Sequence, residues 1–258
     1  MQQKERAQRL ASLHVKGRPL ILYNAWDAGS AKAIASAGAA VIATSSWAVA
    51  AAHGHEDGES IPLSLVVQIV SRIVEAVELP VTVDAEGGYS DDAHACAESV
   101  ARLVDRGAAG INFEDRIVAG TGLHSIKAQS ARIAAIRRMA DARGIPLFIN
   151  ARTDLFLGTG ITPPDGLAEA RERATAYEEA GASGFFVPGL VDLAAITELS
   201  ERIRLPLNVM TMPGLPDVRT LSKGGVARIS YGPAPYIQAM DAVRTAAQVA
   251  FSSTAVPG

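Results

Sequence analysis

The chain lacks several features that define large classes of proteins. Its 258 residues include one cysteine, Cys96, which excludes an intramolecular disulfide and predicts a reducing, cytoplasmic compartment. Its apolar runs are shorter than the roughly 18 residues that cross a membrane, and its charged start, MQQKERAQRL, is unlike a signal peptide. It has no basic run, and its net charge is −3. These absences predict that the chain binds neither nucleic acid nor membrane.

Aromatic residues are also scarce, at 5% of the chain, whereas hydrophobic residues make up 48%. This composition favours many helices packed closely on a sheet, and the length suits one large α/β domain or two small ones. Cys96 falls in a helical pattern with Val100 and Leu103, so we expect it in the core rather than as a nucleophile.

Eight short apolar segments alternate along the chain with segments of helical period. The expected strands are 19–24, 39–44, 79–85, 110–115, 146–152, 183–188, 205–210 and 226–232. The expected helices are 28–37, 62–77, 91–106, 128–143, 165–180, 191–202, 214–223 and 234–250. Strands that are apolar almost throughout and separated by helices indicate a parallel sheet covered on its outer face.

Glycine and proline mark the boundaries of these units. SAGAA, DRGAAG and EAGASG end helices in glycine, and ELP, GIP and RLP place proline ahead of strands. Eight units in about 250 residues predict an α/β fold, a (β/α)8 TIM-type barrel with 1–258 as a single domain and an extra C-terminal helix. An open doubly wound sheet is the alternative, but NAWDAGS after the first strand is not the G-x-G-x-x-G of a dinucleotide-binding fold.

Polar residues collect at the carboxyl ends of the expected strands, where barrel enzymes carry their chemistry. Asp84, Glu86 and Glu114 come from neighbouring strands, so we expect their carboxylates to converge. An oxygen-only cluster without cysteine or clustered histidine favours Mg²⁺, or Mn²⁺, over Zn²⁺. Arg152 ends the next strand and supplies a cation for a substrate anion. The alternative is that Arg152 and Glu114 form a buried salt bridge that only ties two strands together.

Three ordered motifs, VDAEGGYS, INFEDR and INARTD, resemble those of the isocitrate lyase/phosphoenolpyruvate mutase superfamily. The opening YNAWDAGSAKAIASAGAAVIATSSW matches as well, so the resemblance covers nearly the whole chain. It implies a (β/α)8 barrel, Mg²⁺, and a small 2-oxo acid or its enolate as the ligand. It also implies a homodimer or homotetramer whose subunits exchange the last helix.

The resemblance implies roles for individual residues. Asp84 corresponds to the direct metal ligand, and the acids that would hold the metal's water molecules are Asp57, Glu86 and Glu114. The substrate carboxylate would be held by the turn SSW, which is Ser45, Ser46 and Trp47. Arg152 corresponds to the arginine that faces the oxyanion, so metal and arginine together would stabilise an enolate oxygen as it gains charge.

Two further contacts are expected from position along the chain. Tyr23 follows the first strand and is a candidate for substrate binding or proton transfer. Asn208 is expected at the rim after the seventh strand as a contact for the substrate carboxylate, with a structural role as the alternative.

The segment after the fourth strand, EDRIVAGTGLHSIKAQ, departs from the superfamily pattern. It has neither the cysteine of the lyase loop K-[KR]-C-G-H nor the lysine of the mutase loop K-T-N-S. The catalytic candidates are therefore Arg152, Glu114 and His124, with Tyr23, His53 and His55 as other groups able to move a proton. The alternative for His53 and His55 is a solvated loop without a catalytic role.

The function expected from these residues is that of a Mg²⁺-dependent C–C lyase or decarboxylase. Its substrate would be a small 2-oxo or 2-hydroxy dicarboxylate. Decarboxylation of an oxaloacetate-like compound needs little beyond enolate stabilisation, so it would survive loss of the loop cysteine. The alternatives are a non-catalytic protein that binds 2-oxo acids, and a P–C bond mutase or hydrolase.

Overall fold

A computed structural model describes residues 2–163 and 165–252, in which eight parallel strands form a barrel. The strands are β1 (Leu20–Leu22), β2 (Ile42–Ala43), β3 (Val81–Asp84), β4 (Gly110–Glu114), β5 (Phe148–Arg152), β6 (Gly184–Phe186), β7 (Leu207–Met210) and β8 (Arg228–Ser230). Their order is β1-β8-β7-β6-β5-β4-β3-β2, and a parallel bridge between Ala25 and Thr44 joins the two outer strands. The TIM-type barrel is thus confirmed and the open doubly wound sheet is excluded. Residues 1, 164 and 253–258, part of the predicted domain 1–258, lie outside the described residues.

Ten helices occur in the described part of the chain. They are α1 (Gln3–Ser12), α2 (Ala28–Ser36), α3 (Ser46–Ala52), α4 (Leu63–Ala76), α5 (Ala93–Val104), α6 (Ile126–Ala142), α7 (Leu167–Glu179), α8 (Leu193–Arg202), α9 (Val218–Lys223) and α10 (Ala234–Ser252). Each expected helix has a counterpart, and α1 and α3 are additional. Helix α3 begins where the Ser45 side chain accepts a hydrogen bond from the Ala48 N–H. None of the described helices combines the length and apolar character needed to cross a membrane.

Helix α1 covers the amino-terminal end of the barrel. Its residues Ala7 and Leu10 are fully buried and pack with apolar side chains from the strands. Gly110 permits this contact, because a Cβ there would lie 2.6 Å from Leu10 Cδ2 and 2.9 Å from the Phe148 carbonyl oxygen. The amino-terminal end is therefore a packed apolar layer, and polar residues occupy the interior beyond it.

Four buried polar residues, which we call the amide layer, cross the middle of the barrel: Asn112, Asn150, Asn208 and Arg228. Asn150 Nδ2 donates to Asn112 Oδ1 at 3.0 Å and to Asn208 Oδ1 at 2.9 Å. Arg228 Nη2 also donates to Asn112 Oδ1, at 2.9 Å. These hydrogen bonds satisfy most of the buried polar atoms of the layer, whereas Asn150 Oδ1 and Arg228 Nη1 have no partner among the described residues.

The larger apolar core lies between the strands and the surrounding helices, and Cys96 belongs to it. Its side chain is fully buried, and burial raises the pKa of its thiol to about 11. Gly88 lies against it with a φ of 80°, where a Cβ would overlap Cys96 Sγ. Cys96 is therefore a core residue, as expected, because a thiol that stays protonated is a poor nucleophile.

Candidate active site

A cavity of about 180 Å³ lies at the carboxyl ends of the strands. Its lining residues are Asn24, Ser45, Ser46, Trp47, Asp57, Asp84, Asn112, Arg152, Leu157, Phe186, Met210, Ser230, Gly232 and Pro233. The predicted site residues among them are Ser45, Ser46, Trp47, Asp57, Asp84 and Arg152. This is the end of the barrel at which TIM-barrel enzymes carry their active sites.

Asp84, at the end of β3, has one carboxylate oxygen hydrogen-bonded and one free. Its Oδ2 accepts hydrogen bonds from the Ser46 backbone N–H at 3.2 Å and from the Ser46 hydroxyl at 2.8 Å. Its Oδ1 is buried and has no hydrogen-bond partner among the described residues. A buried carboxylate oxygen without a partner is costly unless a donor or cation binds it. Ser46 therefore orients a carboxylate whose second oxygen is available to a metal ion.

Two further acids, Glu86 and Asp57, lie near Asp84. Glu86 has a φ of 49°, and its Oε2 accepts a hydrogen bond from the Glu59 N–H at 2.7 Å. Burial first, and the Asp84 carboxylate second, raise the pKa of Glu86 to about 8. The same two causes raise the pKa of Asp57. Acids this close repel one another when ionised, and a divalent cation would relieve that repulsion.

Arg152, at the end of β5, is held by two acids. Its Nη1 lies 2.9 Å from Glu114 Oε2, while Nε and Nη2 donate to Asp154 Oδ1 at 2.6 Å and Oδ2 at 2.8 Å. Because a guanidinium has five N–H groups, two remain for a ligand in the cavity. Burial opposes the charge of Arg152, but Glu114 and Asp154 outweigh it and raise its pKa, so the group stays protonated. Burial also raises the pKa of Glu114, against the effect of Arg152.

The salt bridge between Arg152 and Glu114, which was the alternative to a metal site, is present. It joins β4 and β5, where these two residues are in register. The bridge leaves Asp84 Oδ1 without a partner, so its presence does not account for the acids on β3. A salt bridge and a metal site are compatible in this arrangement.

The donor set fits a hydrated divalent cation with one protein ligand. Within the described residues, no three His, Cys, Asp or Glu side chains lie close enough to bind one ion together. Asp84 Oδ1 is the one buried carboxylate oxygen without a partner in the same part of the chain. Mg²⁺ usually keeps several water ligands and takes one or two carboxylates. Direct binding by Asp84, with Asp57, Glu86 and Glu114 holding water, agrees with this pattern and stays a prediction.

Tyr23 does not line the cavity, in contrast to its predicted contact with substrate. Its hydroxyl donates to Gln238 Oε1 on α10 at 2.8 Å, and its ring centroid lies 5.2 Å from that of Tyr231. The side chain lines a groove on the outside of β1 and α2 instead. Side chains alternate along a strand, so Tyr23 faces out where its neighbours Leu22 and Asn24 are buried.

The candidate histidines are also not among the residues that line the cavity. His124 Nε2 is 3.2 Å from Asp91 Oδ1. His53 follows α3, with Nδ1 2.9 Å from the Val49 carbonyl oxygen, and His55 does not line the cavity. The structure therefore does not bring His124 together with Arg152 and Glu114, the other two predicted catalytic residues.

Asn208 is not at the rim of the cavity, which corrects its expected position. It lies in the amide layer, where its Nδ2 donates to the carbonyl oxygens of Val209 at 2.7 Å and Arg228 at 3.1 Å. Met210, two residues further along β7, occupies the cavity wall instead. The structural role, considered as the alternative, is the one that these contacts describe.

The sequence analysis did not predict the apolar residues of the cavity wall, Phe186 and Met210, or the buried Arg228 in the amide layer. Phe186 and Met210 end their strands as Arg152 ends β5, and Arg152 is in register with Phe186. Strand-end position is therefore a signal for both residues. No signal indicated Arg228, because an arginine in a strand is typical of an exposed position.

Comparison with known proteins identifies a family for the chain. A family model described as phosphoenolpyruvate phosphomutase matches residues 10–251. The crystal structure of a proposed phosphonomutase from Burkholderia cenocepacia J2315 superposes with a TM-score of 0.93 at 44% sequence identity. That match covers 96% of this chain and 99% of the other.

Sequence relatives extend the comparison to enzymes that act on C–C bonds. An uncharacterized protein of Mycobacterium tuberculosis (strain ATCC 25618 / H37Rv) is 34% identical over 95% of this chain and 90% of its own length. The 2-methylisocitrate lyase of Escherichia coli (strain K12) is 32% identical over 74% of this chain and 65% of the lyase. An oxaloacetate decarboxylase of Pseudomonas fluorescens (strain SBW25) is 30% identical over 70% of this chain and 62% of that enzyme. The matched region thus spans slightly less than two thirds of the lyase and of the decarboxylase.

Proposed function

Because this chain belongs to the isocitrate lyase/phosphoenolpyruvate mutase superfamily, we propose that it is a Mg²⁺-dependent C–C lyase or decarboxylase. Its substrate would be a small 2-oxo or 2-hydroxy dicarboxylate, cleaved through an enolate. The names of two relatives, a 2-methylisocitrate lyase and an oxaloacetate decarboxylase, support this reaction class.

One observation carries the proposal: the buried Asp84 Oδ1 without a partner among the described residues, in a cavity that is also lined by Asp57. Asp84 would bind Mg²⁺, or Mn²⁺, directly, and the acids that would hold its water molecules are Asp57, Glu86 and Glu114. The bound ion would supply a Lewis acid that polarises the 2-oxo group of the substrate.

Substrate binding and stabilisation of the developing charge would depend on polar side chains that line the cavity. The substrate carboxylate would lie against Ser45, Ser46 and Trp47, which line the cavity at the start of α3. The two unused N–H groups of Arg152 would donate to the oxygen that becomes negative as the bond breaks. Glu114 and Asp154 hold the guanidinium in place before substrate binds, so little reorganisation is needed during the reaction.

Two other functions have an observation in their favour. A protein that binds 2-oxo acids without turnover is favoured by the lining of the cavity, which within the described residues includes no His, Cys, Lys or Tyr. A P–C bond mutase or hydrolase is favoured by the 44% identity to the proposed phosphonomutase. The loop after β4 argues against the mutase, because it lacks the expected lysine.

We also propose an assembly, since α10 exposes apolar side chains beyond the barrel. Val243 and Val249 are 60% and 64% exposed, and a groove of about 650 Å³ lies outside β1 and α2. Exchange of α10 between subunits, in a homodimer or a dimer-based homotetramer, would cover both surfaces. Light scattering of the wild type and of a Val243→Asp/Val249→Asp variant tests this assembly, and we expect the variant to be monomeric.

Residues 1–258 would form one domain in each subunit, and the single cysteine supports a cytoplasmic location.

The function is tested by a turnover screen on the purified protein with Mg²⁺. The substrates are oxaloacetate, methylisocitrate, isocitrate, dimethylmalate and phosphonopyruvate, and the products followed are pyruvate, glyoxylate and phosphate. We expect C–C cleavage that stops on addition of EDTA and in Asp84→Ala, but continues in the surface control Asp105→Ala. Turnover that persists in Asp84→Ala would contradict the proposed function.

A further inference from the structure

Two loops beside the acids of the site are bonded to each other through Glu59. This residue lies between α3 and α4, whereas Glu86 and Tyr89 lie in the turn that follows β3. The Glu59 backbone N–H donates to Glu86 Oε2 at 2.7 Å. The Tyr89 backbone N–H donates to Glu59 Oε1, also at 2.7 Å. Glu59 therefore holds the side chain at the start of the turn and the backbone at its end.

The same three residues have an unfavourable backbone conformation. Glu59, Glu86 and Tyr89 have φ values of 58°, 49° and 60°, and they are the non-glycine residues with positive φ within residues 2–163 and 165–252. Residues with a side chain rarely adopt this left-handed conformation, which persists where the surrounding contacts impose it. The two hydrogen bonds between the loops are such contacts. Strain of this kind is concentrated at functional sites, so the side chain that the bonds hold is a candidate for a functional role.

Glu86 is the side chain that this arrangement holds. It is 5% exposed, and together with Asp84 it lines an enclosed space of about 10 Å³, close to the volume that one water molecule requires. The carboxylates of Asp84 and Glu86 repel one another when both are ionised, which favours a Glu86 turned away from Asp84 unless a donor holds it. The Glu59 N–H is that donor, and its bond to Oε2 leaves Oε1 of Glu86 for a second contact.

The Glu59 side chain is not among those that line the active-site cavity. It lines a separate cavity of about 150 Å³ and packs directly on the backbone of the turn. A Cβ at Gly87 would lie 3.0 Å from Glu59 Oε1, so a residue with a side chain at that position would crowd the carboxylate. Glu59 is thus not placed to contact a substrate in the active-site cavity, and it acts on the site through Glu86.

Resting on the proposed function, we propose that Glu59 is a positioning residue for the metal site. It holds Glu86 in place before the ion binds, so that this acid is ready to hold a water molecule of the Mg²⁺ bound by Asp84. The Glu59 carboxylate acts as a hydrogen-bond acceptor for Tyr89, and its negative charge is not required. The bond to Tyr89 fixes the Glu59 backbone against the turn, and the Glu59 N–H then orients Glu86.

Titration calorimetry with Mg²⁺ tests this role through metal binding alone. Glu59→Ala loses the bond to Tyr89 and lets the turn relax, so we expect the Kd for Mg²⁺ to rise at least about tenfold. Glu59→Gln keeps an oxygen that accepts from Tyr89 and removes the charge, so its Kd should stay within about threefold of the wild-type value. The control is Glu56→Ala, which removes an exposed acid from the same segment and should leave the Kd unchanged.

Two further variants keep the test decisive if Glu59→Ala does not fold. Glycine adopts a φ of 58° without strain, so Glu59→Gly removes the acceptor and eases the backbone, and it should show the same rise in Kd. Glu59→Asp keeps the charge, but its side chain is one methylene shorter and no longer reaches the Tyr89 N–H. It should therefore also bind Mg²⁺ more weakly than Glu59→Gln does.

The variant Asp84→Ala separates this inference from the function on which it rests. Mg²⁺ binding that is absent in wild type, or that persists in Asp84→Ala, contradicts the proposed function and the inference together. Asp84-dependent binding with an unchanged Kd in Glu59→Ala or Glu59→Gly contradicts the inference alone. A Kd that rises as far in Glu59→Gln as in Glu59→Ala also overturns it, because the charge of Glu59 would then be the cause.

Discussion

The cavity end and the middle of the barrel each contain an arginine, and the two differ in burial and in partners: Arg152 is partly buried and Arg228 fully buried. Arg152 at the cavity is bonded by two carboxylates, which raise its pKa. Arg228 in the amide layer donates to Asn112 Oδ1 at 2.9 Å and to Ser230 Oγ at 3.3 Å, and makes no ion pair within the described residues. Burial lowers the pKa of Arg228 to about 9, with Asp84 acting in the opposite direction.

The difference shows how the fold divides charge between two layers. The carboxylates of the site lie at the cavity end, where Arg152 and solvent balance them and where the proposed metal ion would do so as well. The amide layer instead carries a cation on neutral oxygens, and two of its contacts, Asn112 and Ser230, line the cavity floor. Arg228 therefore contacts two residues of the cavity lining without lining the cavity itself. A buried cation without an acidic partner contributes little or nothing to stability.

Removing the cavity arginine should have the largest effect on stability. In Arg152→Met, two buried carboxylates lose their partner, and we expect the free energy of unfolding to fall by about 3–5 kcal/mol. The measurement is urea unfolding at neutral pH. Arg143→Met is the matched control, since its pair with Asp105 is largely exposed and should be worth less than about 1 kcal/mol. Equal losses in the two variants would contradict the distinction between these pairs.

Acid should destabilise the fold through His14, which lies beneath the amide layer. The ring stacks on Phe148 with centroids 3.9 Å apart, and burial, then Arg228, lower its pKa from 6.5 to about 3. The unfolded chain therefore binds a proton below pH 6.5 that the folded chain does not bind until about pH 3. Relative to His14→Gln, the wild type should lose about 1.4 kcal/mol of stability per pH unit as the pH falls within that window, and nothing above it. Parallel pH profiles for the two proteins would contradict a His14 that stays neutral in the folded chain.

A smaller effect is expected where Ser46 orients Asp84. Ser46→Ala removes the 2.8 Å hydrogen bond to Asp84 Oδ2 and keeps the backbone N–H contact at 3.2 Å. Loss of a residue that orients a metal ligand typically reduces metal affinity about 10–100-fold. Titration calorimetry with Mg²⁺ measures this, and Ser71→Ala on the exposed face of α4 is the control. Unchanged affinity in Ser46→Ala would show that Asp84 does not need this support.

Arg228→Met should have the smallest effect on stability, in contrast to Arg152→Met, and it tests most directly the difference between the two arginines. Asn112 Oδ1 keeps its bond from Asn150, and no carboxylate is left unpaired, so stability should change by less than about 1 kcal/mol or increase. The KM for a substrate anion should nevertheless rise, because the floor of the cavity loses its positive charge. A large loss of stability with an unchanged KM would make Arg228 a structural residue only.

The fold and the positions of Asp84 and Arg152 could be predicted from the sequence because both follow from short local patterns. Apolar segments of six or seven residues located all eight strands, and their polar ends located Asp84 and Arg152. Tyr23 and Asn208 were misplaced, since strand-end position alone does not say which way a side chain points. His124 does not line the cavity, and its catalytic role stays a prediction, because the loop after β4 has no period and nothing in its sequence fixes where it folds.

The sequence by itself determined the order of the elements, the family, and the set of acids at the carboxyl ends of β3 and β4. Tertiary structure alone decided which side chains share the cavity, because alternation and register are set by pairing between strands that are distant in the chain. It also decided that Asp84 keeps one oxygen free while Arg152 is held by Glu114 and Asp154. The ion-pair and hydrogen-bond partners of a charged group, and therefore its charge balance, depend on distances in space. The order of residues in the sequence does not give these distances.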